Sequence, residues 1–100
     1  MLDPETLHEL FEKHNGEYLK KERIESVRRK HARPDLNAFL LLDSLVPGTR
    51  DMVSDAEHDE IYLDAKLGDF CKVATEADVI DLIRCGVLHD REFDCFCMFV

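Results

Sequence analysis

One apolar segment between two prolines most constrains how this chain can fold. Pro34 suits the first turn of a helix, and Pro47-Gly48 would end it. Between them, apolar side chains occupy nearly every side of the helix: Leu36, Phe39, Leu40, Leu41, Leu42, Leu45 and Val46. A helix that is apolar all round is a buried one. We therefore predict that this helix is the central core element, with Leu41 or Leu42 fully buried.

The chain has the length of one domain and the apolar content of a folded one. It has 100 residues, of which 30 are Leu, Ile, Val or Phe. Acidic residues outnumber Lys and Arg by 22 to 13, which gives a formal net charge of −9. Binding to a phosphate backbone depends on Lys and Arg, so this balance disfavours nucleic acid as a partner of the whole molecule. It favours a partner with a basic surface.

The charges are strongly segregated along the chain. Residues 1–19 carry a net charge of −4, residues 20–33 carry +5, and residues 34–100 carry −10. We interpret residues 1–33 as a helical N-terminal arm with a basic second half. Residues 34–100 form an acidic α+β body, and the two parts together make a single domain.

The arm is predicted to hold two helical stretches. Asp3-Pro4 is a start signal, and Asn15-Gly16 marks a break or bend. A second helix is predicted over about 17–32, where Ile24 and Val27 form a thin apolar stripe. Because the rest of that helix is polar, we expect it to be exposed or covered by a partner.

The body is predicted to be mainly helical with a small antiparallel sheet. The Ser54–Glu57 stretch has the capping-box pattern of a short helix, and Thr75 with Asp78 forms another such pattern. Asp78 and Asp81 are expected to face solvent. From residue 51 onward the predicted elements follow the order of a winged helix. These elements are a short helix at 54–57, a strand at 60–64, helices at 66–74 and 76–85, and a hairpin of 87–89 with 93–100 across a turn at 89–92.

No pattern of residues indicates catalysis or a cofactor. The spacing of Cys95 and Cys97 does not match the usual zinc pairs, and on a strand they would share a face with Phe93 and Phe99. The acidic stretch Glu57–Glu60 is expected to be a solvated loop, and a small metal-dependent enzyme that uses it for metal binding or acid–base chemistry is a third, weaker hypothesis. No serine lies in a nucleophile elbow, and the glycines are isolated. We therefore predict no enzyme activity, no cofactor and no metal.

We also expect neither a secretory leader nor a membrane span. The longest strictly apolar run, Ala38–Leu42, is far too short for a helix that must be about 20 residues long. We expect a cytoplasmic protein, and hence four reduced thiols: Cys71, Cys85, Cys95 and Cys97.

Three stretches of the body, 36–51, 56–64 and 74–87, resemble small acidic orphan proteins encoded by bacteriophages. The resemblance covers about residues 34–100. It implies a phage or prokaryotic setting, in which small acidic proteins often bind and block host machinery, and it assigns no site residue. The function predicted on this basis is a non-enzymatic protein-binding module, an inhibitor or accessory factor that acts on a host protein with a basic surface, in the host cytoplasm.

The alternative is a winged-helix-like nucleic-acid-binding regulator that uses the basic helix 20–33. Against it, Glu76, Asp78 and Asp81 would point at phosphates from the helix expected to enter the groove.

The predicted partner-binding residues are Ile24, Val27, Arg28, Arg29, Asp78 and Asp81. Self-association is also predicted, with the basic helix of one copy on the acidic body of another. A monomer in which that helix folds back on its own body remains open.

Overall fold

The computed structural model describes residues 2–100, which form helices packed on one antiparallel sheet. The helices are α1 (Pro4–Lys13), α2 (Pro34–Leu45), α3 (Leu67–Val73) and α4 (Glu76–Arg84). The strands are β1 (Val53–Glu57), β2 (Glu60–Leu63), β3 (Val87–Asp90) and β4 (Cys95–Phe99). All neighbouring strands are antiparallel, in the order β1-β2-β4-β3. The predicted α+β class is confirmed.

Local capping signals set the helix starts, as predicted. The Asp3 side chain accepts a hydrogen bond from the Thr6 N–H at 2.7 Å, which satisfies one of the free donors at the start of α1. This bond lowers the pKa of Asp3, because it favours the charged carboxylate. At α4, Thr75 and Asp78 form the complete capping box.

The predicted short helix at Ser54–Glu57 is wrong, because these residues lie in β1. A helix of one turn has an unfavourable nucleus, whereas β1 gains backbone hydrogen bonds by pairing with β2, with one irregularity in register between Val53 and Asp55. His58, at φ 55°, makes the tight turn between the two strands. Near the C-terminus, β3 pairs antiparallel with β4; β3 continues through Asp90 and the turn is 91–94, two residues later than predicted.

The predicted helix over 17–32 is also wrong. This part of the chain contains short 3₁₀ turns at Asn15–Glu17 and Lys21–Arg23 and is otherwise irregular up to Pro34. Most of the stability of a protein helix comes from packing an amphipathic face, and Ile24 is the only residue of the segment buried in the core. Ile24 is 4% exposed, whereas Val27 is 88% exposed. The two residues therefore do not form one dry surface.

The core lies between the helices and one face of the sheet. Phe96 of β4 sits at its centre, with ring centroids 4.9 Å from Phe70 and 6.0 Å from Phe11. Residues from the arm and from the body belong to the same core cluster, including Leu7 and Ile24. No helix among residues 2–100 is long and apolar enough to cross a membrane.

Helix α4, rather than α2, is the central helix. Leu42 is fully buried, as predicted for one of the two leucines, and Leu41 is buried too, but Leu36 and Leu40 of the same helix are partly exposed. Helix α4 instead contacts α1, α2 and β3, and its Val79, Leu82 and Ile83 are fully buried. The prediction made from the apolar composition of α2, that it is the central buried helix, is therefore wrong.

The contrast between Ile24 and Val27 gives a direct test of how the segment packs. We expect Ile24→Ala to lower the free energy of unfolding by about 2–5 kcal/mol, because it leaves a cavity in the core. The matched control Val27→Ala should change it by less than about 0.5 kcal/mol, because this side chain is exposed. Urea denaturation measures both. Equal effects of the two substitutions would contradict the packing described.

Candidate functional site

The structure separates the six predicted partner-binding residues into three environments. Ile24 lies in the core of its own chain, so it is not part of an open contact surface. Val27 and Arg29 are exposed. Asp78 and Asp81 were expected to face solvent, and this is wrong: both are buried, because Arg28 of the same chain covers them.

Arg28 binds both aspartates of α4 at once. Its Nε donates to Asp81 Oδ2 at 2.6 Å, and its Nη2 donates to Asp78 Oδ1 at 2.9 Å. The hydrogen bond to Asp81 is the main reason that the pKa of Arg28 is raised, and Asp78 adds to the effect. Asp78 also accepts the Thr75 N–H, so one carboxylate both caps α4 and holds the irregular segment on it.

A second ion-pair group fixes the start of the same segment. Arg84 Nε donates to Glu17 Oε1 at 2.9 Å, and Arg23 Nη1 donates to Glu17 Oε2 at 2.7 Å. The bond from Arg84 is the largest cause of the lowered pKa of Glu17. Residues 17–28 therefore cover the polar side of α4, and that side is not available to a partner in this conformation.

The sheet has one face that faces away from the core, which we call the open face. The strand register places nine side chains on it: Asp55, Glu57, Glu60, Tyr62, Leu88, Asp90, Cys95, Cys97 and Phe99. None of them belongs to the hydrophobic core cluster. Phe93, in the turn before β4, lies over the same face against Tyr62, with ring centroids 5.8 Å apart in an edge-on arrangement.

The open face is negatively charged. Four carboxylates lie on it, and among residues 2–100 none of these four forms an ion pair. Desolvation, followed by the charges of Glu60, Glu57 and Asp90, raises the pKa of Tyr62 to about 12. Burial and the nearby Glu60 also raise the pKa of the Cys97 thiol. Both shifts indicate an environment that disfavours further negative charge.

A small cavity of about 290 Å³ lies in the open face, lined by Asp55, Glu57, Tyr62, Phe93 and Cys95. It combines two carboxylates with two aromatic rings. Carboxylates and aromatic faces both attract cations, the rings through their quadrupole. The cavity is therefore chemically suited to an ammonium or guanidinium group.

Three side chains of the open face could ligate a metal ion. Ligand atoms of Glu60, Asp90 and Cys97 all lie within 4.8 Å of one another. A metal requires the thiolate, however, and the raised pKa of Cys97 disfavours that form. The prediction that the protein binds no metal stays a prediction. Of the four cysteines expected to be reduced thiols, Cys71, Cys85 and Cys97 are buried and Cys95 is partly buried.

The sequence prediction located the acidic body but not its acidic face. Asp55, Glu57, Tyr62 and Phe93 were not among the predicted partner residues. Alternation along 60–63 and 95–99 was a usable signal, since it places Tyr62 and Cys97 on the side opposite Leu63 and Phe96. The residues that β1 contributes, Asp55 and Glu57, were missed because the capping-box pattern of 54–57 predicted a helix there.

The desolvation and the negative charge of the open face can both be measured through Tyr62. Its pKa of about 12 exceeds the usual value of about 10, because the folded state favours the neutral phenol. This preference stabilises the fold, and the stabilisation is fully present below pH 10. That contribution is lost as the pH rises through 12. Tyrosinate absorbance should show a late-titrating group that Tyr62→Phe removes. Glu57→Gln with Glu60→Gln should lower its midpoint, whereas Glu9→Gln on α1 should not. Titration of Tyr62 at its usual pH would contradict this electrostatic description.

Comparison with protein-family models, with curated proteins and with solved structures finds no match to this chain. The functional conclusion therefore rests on the chemistry of the residues described above.

Proposed function

We propose that this protein is a non-enzymatic binding module whose open face docks on a basic surface of a partner protein. The observation that carries the proposal is the composition of that face. It presents four carboxylates without ion-pair partners, together with exposed aromatic rings, and it includes no Lys or Arg. Such a face attracts a basic partner and repels another copy of itself.

The aromatic residues supply the apolar contact. Phe93 is 60% exposed and Phe99 is 56% exposed, so both have surface left to bury. Aromatic anchors near the centre of an interface commonly carry much of its binding energy. The carboxylates around them would set orientation and accelerate encounter, since surface charge contributes more to association rate than to affinity.

The cavity beside Phe93 gives the interaction a specific form. A Lys or Arg side chain of the partner would enter it, with its charge between Asp55 and Glu57 and its stem against Tyr62 and Phe93. Both carboxylates are exposed and make no ion pair within residues 2–100, so no internal bridge has to break first. The partner's cation would replace water with charge-assisted hydrogen bonds and a cation–π contact.

The resemblance to small phage-encoded proteins supports the further proposal that the partner is a host protein that this chain inhibits or assists. A basic groove that normally binds nucleic acid would match the open face in charge. The raised pKa values of Cys95 and Cys97 support a role without thiol catalysis, since the thiolate is the nucleophile.

The alternative, a winged-helix-like regulator, is less well supported. From α2 onward the order helix, strand, helix, helix, strand, strand is present once β1 is treated as an added strand. In that arrangement α4 would be the helix that enters a DNA groove. It carries Glu76, Asp78 and Asp81, and residues 17–28 cover its polar side. Binding through α4 would require breaking the Arg28 ion pairs.

The test is a titration of the protein with a short Arg-rich peptide, monitored by ¹H–¹⁵N NMR. We expect saturable shifts at Asp55, Glu57, Tyr62 and Phe93, and weaker binding as salt is raised. Asp55→Asn with Glu57→Gln should weaken the affinity by about tenfold or more, equivalent to about 1.4 kcal/mol. Phe93→Ala should weaken it similarly without changing the salt dependence.

A matched control removes the same charge elsewhere. Glu9→Gln with Glu25→Gln neutralises two exposed carboxylates outside the open face, and we expect less than about a twofold effect. Equal losses in both charge variants would show that only net charge matters and would contradict the proposal. Gel shifts with duplex DNA across a salt series provide the second arm. Duplex binding with a steep salt slope and no peptide binding would favour the regulator instead.

A further inference from the structure

The cations without ion-pair partners are concentrated on the side of the molecule formed by residues 20–33. Across residues 2–100, six Lys or Arg side chains form no ion pair, and five of them lie in this segment: Lys20, Lys21, Arg29, Lys30 and Arg33. The sixth is Lys66. In a chain of net charge −9, this is a local positive surface.

A cavity opens in the middle of this positive surface, which we call the basic pocket. Its volume is about 320 Å³, at the lower end of the range of about 300–1,000 Å³ for small-molecule sites. Lys21, Arg29 and His31 contribute cationic or donor groups to its lining, while Ile24, Ala32 and Pro34 contribute apolar surface. Glu22 is the single carboxylate in the lining, so Lys21 and Arg29 together outweigh it.

A buried amide lies in the lining of the basic pocket. Asn37 is 2% exposed, and its Oδ1 accepts the N–H groups of Lys30 and His31 at 2.6 and 3.0 Å. Its Nδ2 donates to the sulfur of Cys85 at 3.2 Å, and sulfur is a weak acceptor. An amide nitrogen carries two N–H donors, so Asn37 retains donor capacity that no described residue satisfies.

The tautomer of His31 adds a further donor. Its Nδ1 accepts the Arg33 N–H at 3.0 Å, so in the neutral ring the proton sits on Nε2. The pocket thus combines an ammonium, a guanidinium, an imidazole N–H and an amide N–H. These donors, two of them charged, outnumber the single acceptor carboxylate of Glu22, and such a set fits an anion with several acceptor oxygens.

We propose that the basic pocket binds a small phosphate monoester with an apolar body. The phosphate oxygens accept hydrogen bonds from Lys21, Arg29 and His31, and the apolar body packs on Ile24, Ala32 and Pro34. A phosphate fits better than a carboxylate because it offers three oxygens and up to two negative charges. The basic pocket shares no residue with the open face, so this inference does not depend on the proposed function.

The test uses phenyl phosphate as the probe, with phenol and inorganic phosphate as separate arms, at constant ionic strength. We expect saturable NMR shifts at Lys21, Ile24, Arg29 and Asn37 with a dissociation constant below about 10 mM. Phenol should not bind, and inorganic phosphate should bind more weakly than phenyl phosphate. Lys21→Gln with Arg29→Gln should weaken phenyl phosphate binding by about tenfold or more.

The matched control is Lys66→Gln, which removes a cation that has no ion pair and lies outside the basic pocket. We expect it to change the affinity for phenyl phosphate less than twofold. Neither charge variant alters a core residue, and unfolding midpoints will verify that both proteins fold. The proposal is overturned if phenyl phosphate produces no saturable shifts, if the control loses as much affinity, or if only a duplex DNA oligonucleotide binds at these residues.

Discussion

The pairing of Arg28 with Asp78 and Asp81 is the interaction on which the arrangement of this molecule depends. Residues 20–33 carry a net charge of +5 and contribute only Ile24 to the core, so apolar burial alone holds them weakly. Without Arg28, buried Asp78 would have no cation and buried Asp81 would keep only Arg84 Nη1 at 3.5 Å, which would be costly. Arg28 without the two aspartates would lose two charge-assisted hydrogen bonds. Each part of the contact therefore stabilises the other.

This pairing determines which surfaces remain open. It places the basic segment over α4 and so leaves the open face of the sheet as the exposed acidic surface. It also sets the segment beside the start of α2, where Asn37 binds the backbone of Lys30 and His31 and the basic pocket forms. Surfaces of opposite charge thus lie on different parts of a small domain. We propose a basic protein partner for one and a small anion for the other.

Much of the fold could be predicted from local signals. Asp3, Pro34 and Thr75 mark helix starts because capping acts within one turn, and the alternation in 95–99 indicates a strand. The basic segment could not be predicted in this way. The partner of Arg28 lies 53 residues away at Asp81, and a helix over 17–32 is the natural expectation when that partner is unknown. Strand β1 was missed for a similar reason, since only its pairing with β2 overrides its helical capping pattern.

The candidate site was likewise predictable only in part, because some of its features follow from composition and others from contacts between distant residues. Its net negative charge was evident from composition, whereas its location depends on strand register. Pairing of Asp55 with Tyr62 and of Glu57 with Glu60 brings these side chains to one face. Asn37 was overlooked because a polar residue in an apolar helix becomes informative only when its burial is known.

A double-mutant cycle between Arg28 and Asp81 tests the central claim most directly. The free energy of unfolding would be measured in urea for Arg28→Gln, Asp81→Asn and the double variant. We predict a coupling energy of about 1–3 kcal/mol, as expected for residues in direct charged contact. The parallel cycle with Arg29→Gln should show coupling near zero, because Arg29 bonds the Ile24 carbonyl instead. No coupling between Arg28 and Asp81, or equal coupling in both cycles, would contradict the account.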